Sequence, residues 1–317
     1  MPPDLSSIDT AQFFRGSAPL GIAIALLGGL FLALGAQFQH RGVVVVEEKH
    51  GSGRKAGLSI PQLWRLVRSP WWAFGTLLLG LAILCQLTSL GFAPIIVVQP
   101  LGVVALVITS VVNARVSHTR LTRPAVRAIA FCVAGIALFV TVAAFVARET
   151  LIQGQQLLII LIIMGCVLAI LGVGFAVFRK RFTAMFYIIS AGVLYGFVAT
   201  LAKVVINRLI NGNFEWLTVG CVAALLAASA LGAYFVQTAY SVGSPDLVIA
   251  GLTVVDPIVA VSIGITVLGE AAGAPLWTVF VWIVAAAAAV YGVFQLAQTR
   301  AAQLAAAQAD AAKIGGA

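Results

Sequence analysis

The sequence predicts an all-α protein, a polytopic membrane helical bundle of about nine transmembrane helices that contains an inverted repeat. Three observations carry that prediction. Of the 317 residues, 62% are hydrophobic and only 9% are charged, which is too little charge to cover a soluble domain of this length, so the bilayer is the solvent. Apolar segments at 20–39, 71–91, 94–114, 125–147, 156–178, 183–206, 216–240, 247–268 and 275–298 each approach the roughly 20 residues that a helix needs to cross the hydrocarbon core. Short motifs also recur between the two halves of the chain at nearly constant spacing.

Residues 1–19 carry Asp4, Asp9 and Arg15 and are too polar to span. They lack the basic start of a signal peptide, so the first apolar segment is expected to be retained. That segment holds Ala25, Gly29 and Ala33 four apart, then Gln37, with His40 near its end. The loop 47–70 opens on Gly51-Ser52-Gly53. Its later part, Leu58 to Arg68, mixes apolar bulk with Trp64 and Arg65 and suits a short interfacial helix.

The second span carries Gln86 and closes on Ala93-Pro94; the third opens with Val97-Val98-Gln99-Pro100, where proline predicts a helix break. The sixth holds Gly192, Tyr195, Gly196, Thr200 and Lys203, and the seventh holds Gln237 and Tyr240. The eighth contains Val254-Val255-Asp256-Pro257, with a second expected break at Pro257, and ends in Leu268-Gly269-Glu270. After the ninth span, the Ala-rich segment 299–317 is expected to extend the last helix into the cytoplasm.

Charge sets the expected topology. With the N-terminus outside, nine crossings place the C-terminus inside and put 15 of the 19 basic residues in the cytoplasm, including Arg41, Arg68, Arg115, Arg123, Arg179 to Arg181 and Arg300. This matches the positive-inside rule. The net charge of +9 is thereby accounted for by topology and by attraction to anionic lipid. No surplus basic patch calls for nucleic acid. The preponderance of Arg over Lys in an Ala- and Gly-rich chain points to a bacterial plasma membrane, which the chain crosses many times.

At an offset of 157, Gln99-Pro100 pairs with Asp256-Pro257 and Asn113 with Glu270. At 163, Gly29 pairs with Gly192, Gln37 with Thr200 and His40 with Lys203. At 151, Gln86 and Pro94 pair with Gln237 and Pro245. Spans 1–4 (residues 20–147) therefore match spans 6–9 (183–298), with 156–178 between them. Equivalent helices lie five crossings apart, an odd number, so the copies point in opposite directions.

Asp256 is the one acid placed near the middle of a span. A carboxylate there costs about 2.5–3.5 kcal/mol on a translocon scale and should face protein or a wet cavity. Asp followed by Pro is also a helix N-cap and first-turn pair, so Asp256 has a second reading as the cap of a restarted helix. Gln37, Gln86, Gln99, Tyr195, Thr200, Gln237 and Tyr240 are the polar residues that can complete a binding site around it. His40 and Lys203 are expected to snorkel, and Glu270 is expected at the outer surface, because all three lie near span ends. Cys85, Cys132, Cys166 and Cys221 stand singly as small hydrophobes. The zinc, serine-nucleophile and phosphate-loop signatures of enzymes are missing, so neither catalysis nor a cofactor is expected, and no metal ligand set is assigned.

Ala93-Pro94, Pro100-Leu101-Gly102 and Leu268-Gly269-Glu270, in two inverted halves over residues 20–298, resemble the drug/metabolite transporter superfamily, and within it the NIPA-like branch associated with magnesium. The resemblance implies two inverted sets of five helices around a central cavity; with nine spans and an outside N-terminus, this chain is expected to be one helix short of that pattern, at its start. The expected function is a secondary transporter or facilitator of a small polar solute or cation. A magnesium pathway, the flipping of a lipid-linked headgroup and a non-transporting membrane assembly role are the alternatives.

Overall fold

The computed structural model describes residues 18–50, 68–116, 122–148, 152–178, 184–212, 215–242 and 245–314. The helices are α1 (Ala18–His50), α2 (Pro70–Phe92), α3 (Ile95–Val116), α4 (Arg123–Val146) and α5 (Gly154–Phe178), followed by α6 (Ala184–Ile210), α7 (Trp216–Val242), α8 (Pro245–Thr266) and α9 (Leu276–Ile314). Each contains a stretch long and apolar enough to cross a membrane. The interfacial segment expected at 58–68 falls almost wholly outside the described residues. The expected tail helix is present as the continuation of α9 to Ile314.

Large side chains such as Leu77, Ile83, Ile170 and Phe280 lie exposed on the outside, where a hydrocarbon solvent imposes no penalty. The interior holds large side chains such as Ile95, Ile188, Leu194 and Leu201, but the closest helix approaches are made at small residues, because lipid supplies no hydrophobic drive and helices must gain from close backbone contact. A Cβ added to Gly21 would fall 2.7 Å from Cβ of Ala93, and one at Gly28 3.0 Å from Cβ of Cys85. These contacts lay α1 antiparallel on α2. Gly135 and Gly292 seat α4 against α9 in the same way.

The small-residue stripes of the first and sixth spans have the packing role that their spacing suggests. Gly192 and Gly196 of α6 receive Val255 and Val259 of α8, each 2.6 Å from an added Cβ, and Gly29 of α1 lies 3.7 Å from Ala105 of α3 by the same measure. Both helix pairs run parallel.

Two expectations are corrected. Neither proline breaks its helix: α3 runs through Pro100 and α8 through Pro257. A proline removes one intrahelical hydrogen bond, and within a packed bundle neighbouring helices hold the backbone in place. The Val-Val-x-Pro pair, secondly, does not occupy equivalent depths. Pro100 lies in the second turn of α3, whereas Pro257 lies near the middle of α8. The helices begin 150 residues apart, and the partners of Gly29 and Gly192 (Ala105 and Val255) are also 150 apart. Seven residues, almost two helical turns, separate this packing register from the 157 offset, so the motif match arises from similar local composition.

Candidate functional site: a polar layer in mid-bundle

Depth within the bundle follows from these packing pairs, because an α-helix advances about 1.5 Å per residue. Gly264 of α8 faces Ile95 at the start of α3, and Gly192 faces Val255 and the backbone N of Asp256. Asp256 therefore lies roughly one turn, about 6 Å, deeper than Gln99 and Tyr195. Gln86 of α2 lies at nearly its own level, through the contact of Gly28 with Cys85 and Gln86. These four residues lie at similar depth near the middle of the bundle and make up the Asp256 layer; the Tyr195 ring itself packs on α7, 2.9 Å from a Cβ added to Gly232.

Other predicted residues lie elsewhere. Thr200 is fully buried about two turns away toward the α2–α3 elbow, and its hydroxyl donates to the Gly196 carbonyl at 2.9 Å. Gln37 lies nearly three turns from the layer in the opposite direction. Gln237 is exposed on the outer surface of α7, a correction to its expected place in the core; it lies two residues, about 200°, from buried Phe235 and Ala239, on the opposite side of the helix. The side chains of Tyr240 and His40 lie outside the described residues.

Asp256 caps nothing, because α8 is unbroken around it. Its residue is half-buried, and its Oδ1 is shielded and has no hydrogen-bond partner. At about 100° per residue, the α8 face carrying Val255 and Val259 turns to α6, Gly264 turns to α3, and Asp256 lies between them, toward the inside. Ile249, two turns farther from the elbow on nearly the same face, is exposed. Gln99 is buried, with its Nε2 also unpartnered. Buried polar atoms of this kind ordinarily find a partner, and those that do not mark places where water, an ion or a ligand completes the set.

A cleft of about 290 Å³ lies on a different face of α8, lined by Pro100, Phe139, Pro257, Ile258, Ser262 and Trp282 among others. Asp256, Gln99, Gln86 and Tyr195 are not among its lining residues, so the cleft does not contain the Asp256 layer.

The largest correction concerns Lys203 and Glu270. Lys203 is 5% exposed and Glu270 2%, so neither snorkels nor lies at the surface. Gly269, at φ +70°, turns the chain after α8 in a left-handed conformation that glycine adopts at no steric cost. The Glu270 carboxylate then reaches the start of α3, accepting from Ile95 N–H at 2.8 Å and Ile96 N–H at 2.9 Å. These are first-turn donors with no partner inside the helix, and the anion also meets the positive end of the α3 dipole. Lys203 Nζ donates to the Ala93 carbonyl at the C-terminal end of α2 at 2.6 Å and lies 3.9 Å from Glu270 Oε1. The elbow between α2 and α3 is thus closed on both helix ends by opposite charges. The available signal was the sequence itself: Ala93-Pro94 and Leu268-Gly269-Glu270, both singled out above, meet here.

The chain is similar to an uncharacterized protein of Corynebacterium glutamicum. The two are 26% identical over 252 residues, which cover 79% of this chain and 85% of the other. No protein-family model matches, and no solved structure matches. Among the described residues, no three His, Cys, Asp or Glu side chains gather as a metal site.

Proposed function

We propose that the protein is a multi-pass secondary transporter or facilitator that moves a small polar solute or cation by exposing the Asp256 layer alternately to the two sides of a bacterial plasma membrane. One observation carries this reading: an unbroken mid-membrane helix holds a half-buried carboxylate whose Oδ1 has no protein partner. Such a group is costly in hydrocarbon and is retained where it meets an ion, a proton or a polar solute. Gln86, Gln99 and Tyr195 at nearby depths supply orienting hydrogen bonds.

The packing supports an inverted repeat. The first helix of each half packs on the next two, α1 on α2 and α3 as α6 on α7 and α8, and α3 meets α4 as α8 meets α9. The basic helix ends, among them Arg41, Arg115 and Arg300, lie at the end opposite the elbow, which supports an outside N-terminus and an inside elbow-distal end. Within the resemblance to drug/metabolite transporters, magnesium is the second reading. A Mg²⁺ ion that keeps most of its waters needs few protein oxygens, and the layer offers one carboxylate and amide groups.

The test is uptake into proteoliposomes across a panel of amines, amino acids and Mg²⁺, comparing the wild type with Asp256→Asn. Uptake of at least one solute that collapses in Asp256→Asn, while the variant stays folded, is expected. Flux that is undiminished in the variant, or no flux together with no ligand-dependent thermal shift, overturns the reading.

A further inference from the structure

Among the described residues, several polar contacts join the halves α1–α4 and α6–α9 at the elbow. Ile95 and Ile96 donate to the Glu270 carboxylate, Lys203 donates to the Ala93 carbonyl, and the Arg148 N–H donates to the Glu270 carbonyl at 2.8 Å. Around them α2 packs against α6, with an added Cβ on Gly91 lying 3.4 Å from Cγ2 of Ile206. Under the repeat, the counterpart of α2 on α6 is α7 on α1. Among the described residues α1 has no comparable packing against α7 or α8. The described residues therefore tie the two halves at the elbow end, while Ile249 and Asp256, farther along α8, keep an accessible face.

We propose that the Lys203–Glu270 joint is the latch of the transport cycle. It seals the elbow end above the Asp256 layer in this state and must part before the layer is reached from that end. The inference rests on the transport reading, and its chemistry favours a two-position element. Every group here, two N–H donors, a carbonyl, an ammonium and a carboxylate, is taken up by water once separated. The joint is therefore strong while dry and replaceable when wet, with few arrangements between, as a switch between packed states requires.

The test uses Thr200→Cys, one turn below Lys203 toward the bilayer centre, in a chain whose four native cysteines are replaced. A membrane-impermeant maleimide is applied from each side in turn. With the joint intact, labelling from the elbow side is slow. Lys203→Met or Glu270→Gln is expected to raise the elbow-side rate roughly tenfold or more, the range open when a minor state of a few per cent becomes substantial. An unchanged elbow-side rate in a folded variant overturns the proposal, as does an equal rise from both sides, which reports a loosened bundle. Should the variants fail to fold, Gly91→Cys with Ile206→Cys ties α2 to α6 around an intact joint. The disulfide is expected to abolish the residual elbow-side labelling, and labelling that persists in the cross-linked protein refutes the latch. Because the readout is accessibility, a latch that responds in a protein moving no tested solute separates failure of the transport reading from failure of this one.

Discussion

Replacing Glu270 by alanine strips the carboxylate from the start of α3, leaves two buried N–H groups seeking partners and removes the counter-charge of the Lys203 ammonium, which keeps its bond to the Ala93 carbonyl. The bonds lost measure 2.8 and 2.9 Å, lengths typical of charge-assisted hydrogen bonds. Loss of a helix cap alone costs about 0.5–2 kcal/mol. Removing one member of a buried ion pair costs about 3–5 kcal/mol, because the other charge stays behind. The two descriptions share the same atoms and do not add, so Glu270→Ala should lose about 3–5 kcal/mol. Glu270→Gln keeps one acceptor oxygen and should lose less. Lys203→Met leaves Glu270 with both N–H partners and should also lose less than Glu270→Ala. In the double variant Lys203→Met/Glu270→Ala no charge remains stranded, so its loss should fall short of the sum of the singles by about 1 kcal/mol or more, within the range of contacting pairs. Reversible unfolding in mixed micelles measures all of these. A Glu270→Ala loss below about 1 kcal/mol, the scale of an exposed ion pair, would show that the joint is wet and would remove the basis for treating it as a seal.

Further substitutions separate packing from polar roles. Gly192→Val drives a side chain into Val255, 2.6 Å from the new Cβ, and should cost about 1–3 kcal/mol through overpacking; Gly102→Ala, with nothing within 4 Å of its Cβ, should be neutral or stabilising by less than about 1 kcal/mol. Gln99→Leu removes an amide whose Nε2 is unpartnered, so it should preserve or raise stability in the unfolding assay while lowering solute flux. A clear loss of stability there would mean that the amide serves the fold. Trp282 is buried with an unpartnered Nε1, so Trp282→Phe should stay within about 1.5 kcal/mol of the wild type while Trp282→Ala loses about 3–5 kcal/mol. A large Phe penalty would reveal a lipid or water acceptor for the indole N–H.

The sequence disclosed the helices because hydrocarbon imposes a simple rule: a span must be apolar along its whole length and must satisfy its backbone internally. The same rule makes Asp256 conspicuous, since one acid in a long apolar run is visible without any structure. It conceals equivalence, however. When most residues are Val, Leu, Ile, Ala or Gly, a two-turn shift such as that of Val97 to Pro100 against Val254 to Pro257 leaves local composition nearly unchanged, and close packing of Gly29 and Gly192 decides the register. The composition rule also misleads at span ends. Lys203 and Glu270 have the positions of residues that reach water, and nothing local distinguishes a snorkelling lysine from one that neutralises a helix end more than a hundred residues away.

Composition by itself determined that this chain folds into helices long and apolar enough to cross a membrane, with one acid at mid-depth of one of them, because solvation by lipid acts on every residue separately. Tertiary structure alone decided which polar residues share that depth, that Asp256 stands without a capping role, and that Lys203 and Glu270 close the elbow of the opposite half. Those outcomes depend on pairs of distant residues, whose energies exist only once the helices have packed.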